Sequence, residues 1–311
     1  VAQRENNDRT SDKNEKRRSC FSIYTKSDIQ KREILMTITV GKGERYAGSG
    51  SKQTTVTGSG TIMQIESNLA EDFVHTAVVE NLIIDGQNQS GTTGILLQNV
   101  GNAIIRNITI KNCDTGILLN NYYGAWTEVN CLRNIRMENV KKGIMFNTDG
   151  YFAQDHPGSS FGVTFIDDLG ISLKNDSTAV GIQVGDGYYA HGGSGTWPNG
   201  RPLNAAPYNS FIKANIWLGS AGGTGLKILN GELKYGLINL AVQGSGSGTG
   251  IDLSQASGDP NSPYYETPIE KNQTANPATN IKGFLLYAEG LATPINNSKG
   301  YNITDVTKVP P

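Results

Sequence analysis

Ile104-Ile-Arg-Asn107-Ile-Thr-Ile110-Lys-Asn-Cys-Asp-Thr-Gly116-Ile-Leu-Leu119 is the stretch whose reading decides the fold. It holds two short alternating runs, one led by Asn107 and one led by Gly116, with a third apolar pair, Ile104-Ile105, just ahead of the first. All three recur along the chain. The Asn-led run returns at Asn81, Asn134, Asn215 and Asn239, weakly at Asn280 and Asn302, and Gly170 takes the Asn place in Gly170-Ile-Ser-Leu173. The Gly-led run returns at Gly94, Gly143, Gly181, Gly225 and Gly250, and in degraded form at Gly290. The apolar pair returns as Val78-Val79, Phe211-Ile212 and Leu237-Ile238.

Such self-similarity is the mark of a solenoid, in which each repeat is one structural unit. Within the Asn-led run the first and third residues after Asn are nearly always apolar, while the residue between them varies freely: Ile83, Thr109, Arg136, Trp217, Ala241. Period two sends the first set inward and the second outward, as on a strand. One coil of short strands cannot bury its own apolar stripe, so coils must stack, each strand pairing in parallel with its copy in the next. Parallel crossovers are right-handed in nearly all cases. The expectation is an all-β fold, a single-stranded right-handed parallel β-helix of about eight coils. Asn suits the corner because it tolerates left-handed φ and its amide can satisfy corner peptides of neighbouring coils. An Asn ladder is therefore expected along the cylinder, with Asn107 and Asn302 buried in it.

Composition agrees. The chain is 37% apolar with 38 Gly among 311 residues, too apolar for disorder and too rich in turn formers for a helical protein. A net charge of −1 argues against nucleic acid as a general partner. No run approaches the length of a membrane span, and VAQRENNDRT has no apolar signal region. Three cysteines, Cys20, Cys113 and Cys131, imply no disulfide framework and read as small apolar fillers. Residues 1–35 carry nine Lys/Arg and six Asp/Glu without the repeat, so they form a charged arm that attaches or caps, ahead of a β-helical domain at 36–311.

The repeat, over roughly residues 52–311, resembles the pectin-lyase-like superfamily of right-handed parallel β-helices. Trp126-Thr-Glu128, the stretch from Ser160 to Leu173 and that from Tyr208 to Trp217 are similar to β-helices of phage tail spikes and other virus-encoded surface proteins. The resemblance implies an extracellular or virion-surface location.

Insertions fall at 147–160, 185–207 and 254–279, always after a Gly-led strand and before the next Asn-led one, so they project from one edge. Tyr151, Phe152, Tyr188, Tyr189, Trp197, Tyr264 and Tyr265 lie in them and are candidate sugar-binding residues. Aromatic faces stack on sugar rings while polar groups fix hydroxyls; packing of the same rings onto the cylinder is the alternative. Asp155, Asp186 and His191 are the candidate catalytic groups, since paired carboxylates can cleave a glycosidic bond when one is protonated and the other activates water. Asn147-Thr-Asp-Gly150, Asp167-Asp168 and His191-Gly-Gly-Ser194 resemble in order the motifs of polygalacturonases, but the repeat starts the first two at different corners and no Arg-Ile-Lys follows.

The outward row of the Gly-led strands reads Leu96, Leu118, Met145, Gln183, Lys227, Asp252. It has no acidic cluster for the calcium of a pectate-lyase mechanism, so no cofactor or metal is called for. Its first three members form an apolar strip, read as an interface in a homotrimer like those of viral spikes. Asn88, Asn175, Asn272 and Asn296 lie in glycosylation sequons. The leading function is a surface or virion-associated glycan-binding protein of tail-spike or receptor-binding type. A polysaccharide hydrolase or lyase using loop carboxylates, and a structural or adhesive surface protein, stand as alternatives.

Overall fold

The computed structural model describes residues 37–48, 54–67, 76–122, 126–149, 161–185, 207, 210–229, 237–254, 284–298 and 306–309. Among them are nineteen strands, β1 to β19 in chain order, and no helix. They alternate between two long parallel sheets, consistent with a β-helical solenoid. The nine-stranded sheet runs β1 (Ile38–Thr39), β4 (Thr61–Glu66), β6 (Thr93–Gln98), β8 (Thr115–Tyr122), β10 (Lys142–Asp149), β12 (Val180–Val184), β14 (Thr224–Ile228), β16 (Thr249–Asp252) and β18 (Thr293–Asn296). The ten-stranded sheet runs β2 (Arg45–Ala47), β5 (Val78–Asp85), β7 (Ile104–Lys111), β9 (Cys131–Val140), β11 (Phe165–Leu173), β13 (Phe211–Trp217), β15 (Leu237–Gln243), β17 (Phe284–Glu289) and β19 (Val306–Val309), with β3 (Thr54–Thr57) also on β5.

Identical positions stack. Ile95, Ile117, Ile144 and Ile182 form one inward column of the nine-stranded sheet, and Leu97, Leu119, Phe146 and Val184 the next. All are buried, facing Ile84, Ile110, Met137 and Ile171 of the other sheet. The Gly that leads each of these strands marks where the two sheets come closest. A methyl group on Gly116 would stand 2.6 Å from the Met137 sulfur and 2.7 Å from the Gly143 carbonyl oxygen; one on Gly181 would meet Ile216 and the Gly225 carbonyl, each at 2.7 Å. Neither glycine has the positive φ that would make conformation the reason. The requirement is space.

Asn81, Asn107 and Asn134 do sit at positive φ, and each bends its strand by adding one residue between inward positions, as in Ile105-Arg106-Asn107-Ile108. The Asn134 amide donates to Asn107 Oδ1 (2.9 Å) and the Asn107 amide to Asn81 Oδ1 (3.1 Å). The expected short strands on either side of Asn thus run together as one bent strand. Three assignments to this column are corrected. Asp168, not Gly170, lies opposite Asn134, with φ 54°, while Gly170 pairs with Arg136. An ionised carboxylate has no proton to pass down the row. Instead Arg136 crosses over Gly170 and donates to the Asp168 carbonyl and carboxylate, both at 3.0 Å.

Beyond Asp168 the extra residue is gone: β11 and β13 shift register, and Ile212-Lys213-Ala214 alternates without a bend. Asn215 and Asn239 are therefore exposed, outward residues rather than corner residues. Asn107 is half-buried rather than buried, because the bend faces outward.

Other corners carry side-chain rows that were not anticipated. Gln98 donates to Glu66 (2.7 Å), Asn120 to Gln98 (2.8 Å) and Asn147 to Asn120 (3.2 Å) at the ends of successive strands. Amides can form such rows because each carries both a donor and an acceptor at its tip. Glu80, almost wholly buried, accepts from Arg45 and from Arg106 (2.6 Å) on the neighbouring strands. Burial pushes its carboxyl up, but the hydrogen bonds and charges of Arg106 and Arg45 outweigh this and hold it below its ordinary 4.5. Cys113 is buried against the Lys111 carbonyl with its thiol pushed up to about 12, chiefly by burial, which suits an inert filler.

Two stability predictions arise here. Gly116→Ala should lower unfolding free energy by about 1–3 kcal/mol through overpacking. Gly170→Ala, whose methyl meets only the flexible Arg136 side chain, should stay within ~1 kcal/mol, both read by denaturant unfolding. Because the folded pKa of Glu80 is depressed, its stabilisation is present above pH 4.5 and is lost as pH falls through the folded value. Glu80→Gln should therefore cost about 2 kcal/mol at pH 7 and flatten the acid-side decline in unfolding free energy.

Candidate functional site

The sequence places its candidate sugar-binding and catalytic residues on the insertions. Tyr151, Phe152, Tyr188, Tyr189, Trp197, Tyr264, Tyr265, Asp155, Asp186 and His191 all lie outside the described residues, as does the charged arm. The interface strip lies within them. Leu96, Leu118 and Met145 stack in register on the outer side of the nine-stranded sheet, Leu96 and Leu118 half-buried, and Met145 and the following Gln183 buried.

The polygalacturonase-like residues are committed to architecture. Asn147 belongs to the amide row at the end of β10, in one sheet; Asp167 and Asp168 lie in β11, in the other. Asp167 faces Arg133 at 3.8 Å and Asp168 is clamped by Arg136. Thr127, within the stretch similar to viral β-helices, is a buried corner residue: its hydroxyl donates to the Asn120 carbonyl (2.9 Å) and accepts from the Asn99 N–H (3.1 Å). Among the described residues no group of three His, Cys, Asp or Glu side chains is placed to hold a metal ion, and no helix is long and apolar enough to cross a membrane.

What the described surface does offer is the outer face of the ten-stranded sheet, which carries two features. The first is an apolar column at the strand starts, in register from Ile104 through Cys131, Phe165 and Phe211 to Leu237. Phe165 and Phe211 stack with ring centroids 4.8 Å apart. Beside the column, Val129 and Val163 are 47% and 52% exposed and hold left-handed φ of 57° and 54°, an uncommon conformation for a β-branched residue. The signal for this column was present in the paired apolar residues such as Ile104-Ile105: in a period-two strand one of each pair must face out.

The second feature is built around Trp217, the most exposed large apolar side chain among the described residues at 63%. Period two along β13 turns Ala214 and Ile216 into the core and Asn215 and Trp217 out. In register, Trp217 lies between Ser172 and Gln243, with Glu289 beyond Gln243. The adjacent row holds Gly170, Asn215, Ala241 and Tyr287. Small neighbours at Gly170, Ser172 and Ala241 leave the indole standing above a low floor. The polar groups beyond it are already oriented. Gln243 Nε2 donates to Glu289 Oε2 at 3.0 Å and the Tyr287 hydroxyl to the same oxygen at 3.2 Å. Burial and the neighbouring Glu289 carboxylate raise the Tyr287 pKa, so the phenol stays a donor. The arrangement is an open aromatic platform flanked by fixed hydrogen-bonding groups on a rigid sheet.

No family model and no curated protein sequence matches this chain. Several solved structures are similar to it at low identity. One is described as Geobacillus virus E2 ORF18, with 11% identity and a TM-score of 0.32, the match covering 88% of this chain and 50% of that one. Another is the catalytic domain of a GH87 alpha-1,3-glucanase in complex with nigerose, with 12% identity and a TM-score of 0.22, covering 88% of this chain and 62% of that one. The chain thus spans between half and two thirds of the length of these structures.

Proposed function

We propose that this chain is a right-handed β-helix of the pectin-lyase-like kind, of about eight coils, that binds glycan at a virion or extracellular surface in the manner of a tail spike or receptor-binding protein. The observation that carries the reading is Trp217. An indole 63% exposed on a rigid sheet contributes nothing to the core. Leaving so much apolar surface in water forgoes on the order of 1–2 kcal/mol of burial, a loss that a ligand recovers. The ligand must be flat and apolar on one side to lie on the ring, and rich in hydroxyls at its edge to meet Gln243, Glu289 and Asn215. A pyranose has that shape and chemistry. The ten aromatic and ionisable residues on the insertions are proposed as further glycan contacts, and the outward column from Ile104 to Leu237 supports association with further copies, a homotrimer being the form we propose.

Trp217→Ala should weaken binding to polysaccharide by about threefold to tenfold, the scale of one aromatic contact. The melting temperature should change little, since the side chain lies outside the core. Affinity electrophoresis through gels containing each polysaccharide, with thermal unfolding in parallel, checks both; unchanged mobility shifts in the variant would remove Trp217 as the platform.

A further inference from the structure

Resting on the reading of Trp217 as a sugar platform, we infer that the site takes a glycan free of carboxylate groups, running along the solenoid axis across several coils. The direction follows from how the row is built. Asp85, Lys111, Glu138, Ser172, Trp217, Gln243 and Glu289 occupy one register position on successive strands and so form a line parallel to the axis. Successive members are spaced by the strand separation, ~4.8 Å, close to the length that one pyranose adds to an extended chain. A glycan lying along this line places about one sugar per coil, so units on either side of the one on Trp217 come over Ser172 and Gln243, and the next over Glu138 and Glu289.

The charge of the ligand follows from what those sugars would meet. The line carries three carboxylates, Asp85, Glu138 and Glu289, against one ammonium, Lys111, which lies 3.4 Å from Asp85. Glu138 and Glu289 are exposed and stand roughly 10 Å to either side of Trp217, two strand spacings each way. The nearest guanidinium in the adjacent row, that of Arg136, is held by Asp168 at 3.0 Å. The Gln243 amide and the Tyr287 hydroxyl that donate to Glu289 are neutral, so they orient its carboxylate without cancelling its charge. Lys213 lies on the same strand as Trp217 but four residues away, at the other end of β13. A uronate chain on this line would bring its carboxylates against Glu138 and Glu289 within about one Debye length. A neutral chain would find acceptors for its hydroxyls at the same two places.

The test uses the full chain in affinity electrophoresis at low salt, with a soluble neutral α-glucan, a neutral β-glucan, a galactomannan and polygalacturonate as the probes. The expected result is retardation by at least one neutral polymer, reduced about threefold or more in Trp217→Ala, and none by polygalacturonate. The double variant Glu138→Gln, Glu289→Gln, which removes both charges and keeps side-chain shape, should gain retardation by polygalacturonate. Polygalacturonate binding as tight as that of every neutral polymer, or a double variant that still excludes it, overturns the charge inference while the platform stands. No retardation by any probe, or retardation unaffected by Trp217→Ala, overturns the platform itself.

Discussion

Parallel backbone pairing between successive coils stacks each residue on the same position of the next coil, and nearly every other feature of the molecule is a response to that stacking. A side chain in this arrangement has near-copies of itself about one strand spacing above and below. Apolar columns such as Ile95, Ile117, Ile144 and Ile182 gain contact from the repetition. Charges of one sign repel, and opposite charges beside them offset this: Lys111 stands between Asp85 and Glu138, while Arg106 and Arg133, in register with each other, face Glu80 and Asp167 on their other sides. Amides are the polar groups that tolerate identical neighbours, because each can donate to one coil and accept from another.

The two sheets impose a second condition. Where they converge, a side chain on the nine-stranded sheet would occupy the space of Met137, Ile171, Ile216 or Val242 and press on the next coil's carbonyl. The recurrent Gly answers that condition, and its absence of positive φ separates it from the Asn positions, where conformation is the reason. Two residues that lead similar-looking runs in the sequence therefore do so for different physical causes.

A change in the bend divides the solenoid. From β5 to β11 each strand of the ten-stranded sheet carries an extra left-handed residue; from β13 onward it does not. The Arg136–Asp168 clamp sits at the junction, replacing an amide link that a carboxylate cannot make. Past that junction the strands are straight and their outer positions form an even line, and it is there that Trp217, Gln243 and Glu289 come into one row.

Repetition and period-two alternation are local properties, and they were enough to read the parallel strands, the inward residues and the outward place of Trp217 directly from the chain. The exposed column was not read there, although apolar pairs such as Leu237-Ile238 held its signal, one of each pair having to face out. Register is another matter. Gly170 was read one way and lies another because a single added residue, Asp168 rather than Gly170 at the bend, moves every neighbour by one position, and alternation alone cannot say where such a residue falls. Asn215 and Asn239 match the Asn-led pattern as well as Asn107 does, yet they face outward because their strands have lost the bend. Pairing between residues dozens of positions apart decides which coil lies beside which, and so it was only in three dimensions that Ser172, Trp217, Gln243 and Glu289 became neighbours and the surface around the indole acquired its charge.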